Sequence, residues 1–182
     1  TVLVKNINNT GDGSLGSSPQ SLTVCNGVLY FTAGDGVHGD ELWRSDGTLD
    51  GTRMVKDIWE GADSGYPGNL TAFNGVLYFT ASDGVDGPEL WRSDGTRDGT
   101  RMVRNIRETS DGSGGSYGSN PTAVTAYNGL IYFAANDGVN GYELWRSDGT
   151  RDGTTIVDVN GAASGEVGSN PYSLTAFNGA LY

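Results

Sequence analysis

The sequence predicts an all-β chain, a β-propeller built of four-stranded antiparallel blades, with about 3.5 blades present. Three observations lead to this prediction. The octapeptide ELWRSDGT begins at Glu41, Glu89 and Glu143 with no letter changed. The copies are offset by 48 and 54 residues, a period typical of propeller blades or solenoid arrays. Each unit shows four strand patterns separated by turn signals, and none has a helical period.

The second unit shows the predicted elements in order. NLTAFNG is a first strand that ends in the hairpin turn Asn74-Gly75, and VLYFTASDG is a second strand rich in β-branched and aromatic residues. PELWRSDG is a third strand that ends at Asp94-Gly95, and TRMVRNI is a fourth. Four antiparallel strands in a unit of this length are what a propeller blade requires, whereas solenoid coils of β-strands are shorter.

The repeats divide the chain into blades. Residues 1–20 carry the last strand of one blade, with Val2 to Ile7 as that strand. Three blades follow at residues 21–69, 70–121 and 122–170, and residues 171–182 begin the next blade. A blade assembled from both termini would lack its third strand, so we predict a segment of a larger propeller. The alternative is a chain that self-associates through its open blade edges.

Composition limits the classes of partner. Lys and Arg total 11 and Asp and Glu total 22, which gives a net charge of −11. A surface this acidic repels phosphate backbones, so nucleic acid is excluded as the expected partner. No apolar run is long enough for a membrane helix, so no membrane insertion is expected. Cys25 is the single cysteine, so the chain has no internal disulfide.

The octapeptide, followed by a second DGT and a strand such as RMVKDI, resembles the ELWxxDGT repeat family. The resemblance covers essentially the whole chain. That family consists of bacterial, mostly secreted or surface proteins with tandem repeats, sometimes called hyalin-like. The resemblance implies a secreted or cell-surface location and a propeller-like architecture, and it carries no defined activity.

Side chains alternate along a strand, so Glu41 and Trp43 share one face and Leu42 and Arg44 share the other. Two interpretations stay open at this point. In the first, Leu and Trp are covered by neighbouring blades and Arg joins the blades. In the second, each inter-blade groove holds a carbohydrate, with weak sites combined by multivalency. The candidate ligand-binding residues are then Glu41, Trp43, Arg44, Glu89, Trp91, Arg92, Glu143, Trp145 and Arg146.

An acidic, Gly-rich loop precedes each octapeptide: DGVHGDE, DGVDGPE and DGVNGYE. Ca²⁺ prefers several oxygen ligands on such loops, which makes it the one candidate cofactor. The candidate metal ligands are Asp35, Glu41, Asp83, Asp86, Glu89, Asp137, Asn140 and Glu143. The spacing does not match an EF-hand or the nonapeptide repeat of β-helices. The alternative is an ordinary hairpin that connects the second and third strands.

The leading functional prediction is an extracellular, non-catalytic binding or adhesion module that recognises carbohydrate, with glycans or surface proteins as partners. The alternative is a structural or protein-binding scaffold of a cell-surface layer or filament. A hydrolase is third, because catalytic carboxylates would occupy unique positions, whereas nearly every acidic residue here recurs between units. His38 is the only histidine, so no Ser-His-Asp arrangement beyond it is available. We therefore predict that the protein is not an enzyme.

Overall fold

The computed structural model describes residues 2–10, 16–108, 117–157 and 168–182. The regular structure of these residues is entirely β-strand, without a helix. No described segment therefore forms an apolar helix long enough to cross a membrane. The strands are β1 (Gln20–Cys25), β2 (Val28–Gly34), β3 (Asp40–Ser45), β4 (Arg53–Lys56), β5 (Gly68–Phe73), β6 (Val76–Ser82), β7 (Pro88–Ser93), β8 (Arg101–Arg104), β9 (Thr122–Tyr127), β10 (Leu130–Asn136), β11 (Tyr142–Ser147), β12 (Thr155–Val157), β13 (Ala176–Phe177) and β14 (Ala180–Leu181).

The strands form antiparallel sheets in which chain neighbours are also sheet neighbours. Strands β1 to β4, β5 to β8 and β9 to β12 form three four-stranded sheets, and β13 pairs with β14. The all-β class and the four-stranded antiparallel units are therefore confirmed. The first two strands of each sheet are joined by an Asn-Gly pair, as at Asn26-Gly27 with φ of 50° and 75°. Positive φ at both residues is the geometry of a type I′ hairpin, which Asn-Gly favours.

The first strand of each sheet carries a bulge near its start. The register with the second strand shifts between Gln20 and Thr23 in β1, and between Gly68 and Thr71 in β5. The bulged residues Ser21, Asn69 and Ala123 have φ of 53°, 52° and 54°. A bulge bends its strand and takes one residue out of the ladder.

The N-terminal segment differs from its prediction. Residues 2–9 form no strand, although Val2 to Ile7 matches the fourth-strand pattern. Lys5 Nζ still donates to the Thr52 carbonyl at 2.7 Å, as Lys56 Nζ of β4 donates to the Thr100 carbonyl at 2.9 Å. The segment thus lies where a fourth strand would lie. It makes no ladder because the described residues contain no third strand to pair with it.

The hydrophobic core lies between successive sheets. Each of two clusters joins the second and third strands of one sheet to those of the next, and includes a tryptophan of the later sheet. The first cluster contains Tyr30, Leu42 and Val55 with Leu77, Phe79 and Trp91, and the second contains Tyr78, Leu90 and Val103 with Ile131, Phe133 and Trp145. The same positions meet at both interfaces, so the repeated sequence produces a repeated interface.

The SDGT sequence closes the turn between the third and fourth strands. Asp94 Oδ1 accepts hydrogen bonds from the Thr96 N–H at 2.9 Å and from Thr96 Oγ1 at 2.6 Å. The Gly99 N–H then donates to Thr96 Oγ1 at 3.0 Å. Ser93 Oγ and Thr100 Oγ1 lie 2.6 Å apart at the base of the turn. The equivalent bonds form in the first and third sheets, so the residues SDGT of each octapeptide form a turn.

We predict that Gly99→Ala destabilises the protein by about 1–3 kcal/mol, the usual cost of overpacking. A Cβ at Gly99 would lie 2.0 Å from Asp94 Oδ1. That carboxylate is held by Thr96, so it could move only by breaking the turn. Urea unfolding measures the loss. Gly16→Ala is the control, because a Cβ there meets nothing within 4 Å. Equal stability of the two variants would contradict the prediction.

Candidate functional site

Each octapeptide begins with a glutamate that is buried and turned toward the segment leading to the next sheet. Glu41 of β3 has no exposed surface. Its Oε2 accepts the Ile58 N–H at 2.9 Å and its Oε1 accepts the Gly65 N–H at 2.7 Å. Both donors lie between β4 and β5. The carboxylate therefore accepts two linker N–H groups, beside the backbone hydrogen bond from the Tyr66 N–H to the Asp40 carbonyl of β3 at 3.2 Å.

The other two glutamates of the octapeptides also accept hydrogen bonds from the linker that follows their sheet. Glu89 Oε1 accepts the Ser119 N–H at 2.9 Å, and Glu89 Oε2 accepts from Ser119 Oγ at 2.5 Å. Glu143 Oε1 accepts the Ser169 N–H at 3.0 Å and its Oε2 accepts from Ser169 Oγ. Each glutamate thus holds the linker between its own sheet and the next one.

Burial raises the pKa of two of these carboxyls, Glu41 and Glu89. Loss of solvation raises the pKa of Glu41 to about 7, although the N–H groups of Ile58 and Gly65 act to lower it. The same loss raises the pKa of Glu89 to about 7, against the lowering effect of the Ser119 hydroxyl. These are the largest shifts toward neutrality that the described carboxyls show.

The tryptophans of the octapeptides are covered. The exposed fractions of Trp43, Trp91 and Trp145 are 6%, 5% and 5%. Lys56 of the preceding sheet lies 5.6 Å from the centre of the Trp91 ring, and Arg104 lies 5.9 Å from that of Trp145. A sugar needs an open ring face for stacking, and these rings offer none. The structure therefore does not form the open groove beside each Trp that the carbohydrate interpretation predicted.

The arginines join one sheet to the next. Arg44 Nη1 donates to the Gly95 carbonyl at 3.2 Å, and Arg92 Nη1 donates to the Gly149 carbonyl at 3.1 Å. Both side chains are half-buried, whereas Arg146 is exposed and, among the described residues, donates through Nε to Thr155 Oγ1 of its own sheet at 3.4 Å. The described residues after β12 contain no further DGT turn that Arg146 could reach. The arginine therefore bonds to a turn carbonyl where another repeat comes next in the described chain, as at Arg44 and Arg92.

The acidic loops use their aspartates internally. Asp35 Oδ1 accepts the N–H groups of Val37 and His38, each at 2.8 Å, and its Oδ2 lies 2.7 Å from His38 Nδ1. These bonds hold the pKa of Asp35 below its usual value despite partial burial. Asp137 Oδ1 accepts the N–H groups of Val139 and Asn140 in the same way, and its Oδ2 accepts a hydrogen bond from Asn140 Nδ2 at 2.7 Å. The loop is an Asx-type turn.

The predicted calcium ligands serve separate contacts. In the second loop, Asp83 Oδ1 accepts two loop N–H groups, and Asp86 Oδ1 accepts from Asn105 Nδ2 at 2.7 Å. Glu89 of the same predicted set faces the linker at Ser119 instead. Over residues 2–10, 16–108, 117–157 and 168–182, no three His, Cys, Asp or Glu side chains gather as a metal site. The side chains of the predicted Ca²⁺ sets are thus not assembled around one point.

Sequence reasoning missed the partners of the glutamates. These partners are Gly65, Ser119 and Ser169, which hold equivalent places in three linkers. Each is followed by a residue with φ of 47° or 48° and then by a proline. A small residue two places before a proline in every linker was therefore a readable signal.

No family model, curated protein or solved structure matches this chain. The resemblance to the ELWxxDGT repeat family stays a prediction that rests on the motif. The assignment of the site therefore depends on the geometry of the chain itself.

We predict that stability falls as the pH rises from about 4.5 to about 7. The carboxyls of Glu41 and Glu89 have an ordinary pKa of 4.5 and a folded pKa of about 7. Within this window the folded protein binds more protons than the unfolded chain, so the free energy of unfolding decreases as the pH rises. The raised pKa of His38 acts in the same direction above 6.5. Urea unfolding at several pH values measures the slope.

Glu89→Gln isolates one of these groups. The variant should show a shallower decline over the same window, because its amide does not titrate. Glu108→Gln is the matched control, since the Glu108 side chain is 62% exposed and forms a surface ion pair with Arg151. A Glu89→Gln slope equal to that of the parent would show that Glu89 is already ionised at about pH 4.5.

We also predict that the melting temperature is the same in millimolar Ca²⁺ and in EDTA. The aspartates of the loops already accept loop N–H groups, and the glutamates are occupied by the linkers. A ligand that binds the folded state must raise its stability. A melting temperature that rises with Ca²⁺ concentration would restore the calcium prediction, and Asp83→Asn would then test the second loop.

Proposed function

We propose that this chain is a non-catalytic, extracellular scaffold of the β-propeller type, in which the octapeptide joins each blade to the next. The observation that carries the proposal is the burial of the octapeptide. Its glutamates bind the linkers and its tryptophans pack against the preceding sheet, or against the N-terminal segment in the first sheet. These contacts occupy the side chains of the octapeptide, so no ligand site is left at the octapeptide itself. A structural contact that recurs in each repeat accounts for the repeated sequence.

The arrangement of the first strands supports the propeller. Strand β1 contacts β5, β5 contacts β9, and β9 contacts β13. A threonine hydroxyl links each pair: Thr23 donates to the Leu70 carbonyl at 3.2 Å, Thr71 to the Val124 carbonyl at 3.2 Å, and Thr125 to the Leu174 carbonyl at 3.1 Å. Propeller blades are arranged around an axis with one edge strand of each blade innermost. We assign that inner place to the first strands.

Each interface repeats the same set of contacts in the same direction. The fourth strand donates to the following turn (Lys56 to Thr100 and Arg104 to Thr154), and the third strand donates through Arg44 and Arg92. Stability in such an array is approximately a sum over units and their interfaces. A scaffold of a cell-surface layer or filament needs this property, because units can be added without redesign of the core.

Substitution of Trp91 tests the proposal. Trp91→Ala should cost about 3–5 kcal/mol, the usual loss for a large aromatic side chain removed from a core. Urea unfolding measures the loss, and Leu49→Ala is the control because Leu49 is 60% exposed in a turn. A change of less than about 0.5 kcal/mol in Trp91→Ala, with loss of binding on a glycan array, would favour a lectin site at the octapeptide over the scaffold.

A further inference from the structure

The first strands of successive repeats surround one depression. Its volume is about 510 Å³, within the roughly 300–1,000 Å³ of ligand pockets. Residues 21–23, 69–71, 123–125 and 173–174 line it, so all four described repeats contribute. The depression is separate from the octapeptides, whose residues are absent from its wall.

The wall of the depression carries no ionisable side chain. Its residues are Ser, Thr, Asn, Ala, Leu and Val, in a chain with a net charge of −11. A metal cation would find no carboxylate there, and a phosphate or sulfate would find no Lys or Arg. The wall therefore suits a neutral ligand.

Hydroxyl or amide groups and aliphatic groups are interleaved along the wall. Asn69 stands beside Leu70 and Thr71, and Ser173 stands beside Leu174. Leu22 on the same wall is 60% exposed, so a ligand that covered it would remove apolar surface from water. The hydroxyls of Thr23, Thr71 and Thr125 already donate to carbonyls, and Asn69 Nδ2 donates to Thr80 Oγ1 at 3.3 Å. A wholly apolar ligand would cover the hydroxyls of Ser21 and Ser173 without hydrogen-bonding them. A ligand with hydroxyl edges and C–H faces meets both requirements.

The bulge position varies most along the wall, and the position after it is Leu or Val. It is held by Ser21, Asn69, Ala123 and Ser173, all with φ between 52° and 54°, and by no glycine. The threonine two places later, by contrast, is the same in each repeat and ties the strands together. Bulges re-aim side chains and are frequent beside binding sites. The contact between first strands therefore depends on the threonine, whereas the bulge residue two places earlier makes no such contact and differs between repeats.

We propose that this depression binds a neutral carbohydrate, of the size of one or two sugar rings. The hydroxyl and amide groups of Ser21, Asn69 and Ser173 hydrogen-bond the sugar hydroxyls, and the leucines cover its C–H faces. This activity goes beyond the scaffold and does not involve the octapeptide. The repeats build the depression, and their variable bulge residues determine which sugar it accepts.

The test is an NMR titration of the isotopically labelled 182-residue chain with galactose, mannose, N-acetylglucosamine and cellobiose, each added separately. At least one sugar should shift the amide signals of residues 21–23, 69–71 and 123–125, and leave the buried indole N–H signals of the octapeptide tryptophans in place. No shift with any of the four sugars, or shifts that map elsewhere, would overturn the proposal. Galactose 6-sulfate is included, and binding of this probe alone would overturn the neutral class.

Two variants test whether the sugar binds in this depression. Leu22→Trp fills part of the depression with a bulky side chain and should weaken binding by at least about tenfold, because it excludes the sugar from the space beside β1. Val24→Trp is the matched control, because Val24 lies on the same strand, is 63% exposed and is absent from the wall. Asn69→Ala reproduces the residue of the third repeat, so the fold tolerates it, and should weaken binding also. Unchanged binding in both Leu22→Trp and Asn69→Ala would overturn the site.

Discussion

The buried glutamate is the contact on which the architecture depends. The chain must leave the fourth strand of one sheet and enter the first strand of the next. The linker makes isolated backbone hydrogen bonds to neighbouring strands, such as Tyr66 N–H to the Asp40 carbonyl at 3.2 Å, and the N–H groups of Ile58 and Gly65 donate to Glu41 instead. Buried N–H groups without acceptors are costly, so a buried acceptor is needed at this point. Glu41 and Glu89 supply it, and their raised pKa values show what burial costs the carboxyl. Once the linker is fixed, the next sheet begins at a defined place.

Each letter of the octapeptide has a separate structural duty. The glutamate holds the linker, the leucine enters the core with the following sheet, and the tryptophan packs against the sheet before it. The arginine reaches a carbonyl of the following turn, and the serine pairs with the threonine that ends the second DGT. The aspartate, glycine and threonine close the turn. In the first two copies a change of any letter would remove one of these contacts, so a structural role accounts for the repetition there without a repeated ligand.

The sheet interfaces and the proposed sugar site involve different residues of this chain. The octapeptide residues that join sheets are identical in the first two repeats and are buried or half-buried, whereas the bulge position on the wall of the depression is held by Ser, Asn or Ala and is exposed or half-buried. A repeat array gains from this division, because the interfaces can stay constant while the binding wall diverges. The strained backbone at Asn69 and its equivalents is maintained by the two neighbouring strands rather than by glycine.

The sequence by itself determined the β class, the number of strands in a unit, the hairpin turns and the positions of the repeats. Those features depend on local periodicity and on Asn-Gly and Asp-Gly chemistry, which act over a few residues. It left open whether the side chains of the octapeptide are covered or open to solvent, because Glu, Trp and Arg suit both a core and a sugar site. Only the tertiary structure decided this, by placing Ser119 against Glu89 and the preceding sheet against Trp91. Burial depends on partners that are distant in the chain, and a strand pattern contains no information about what covers its faces.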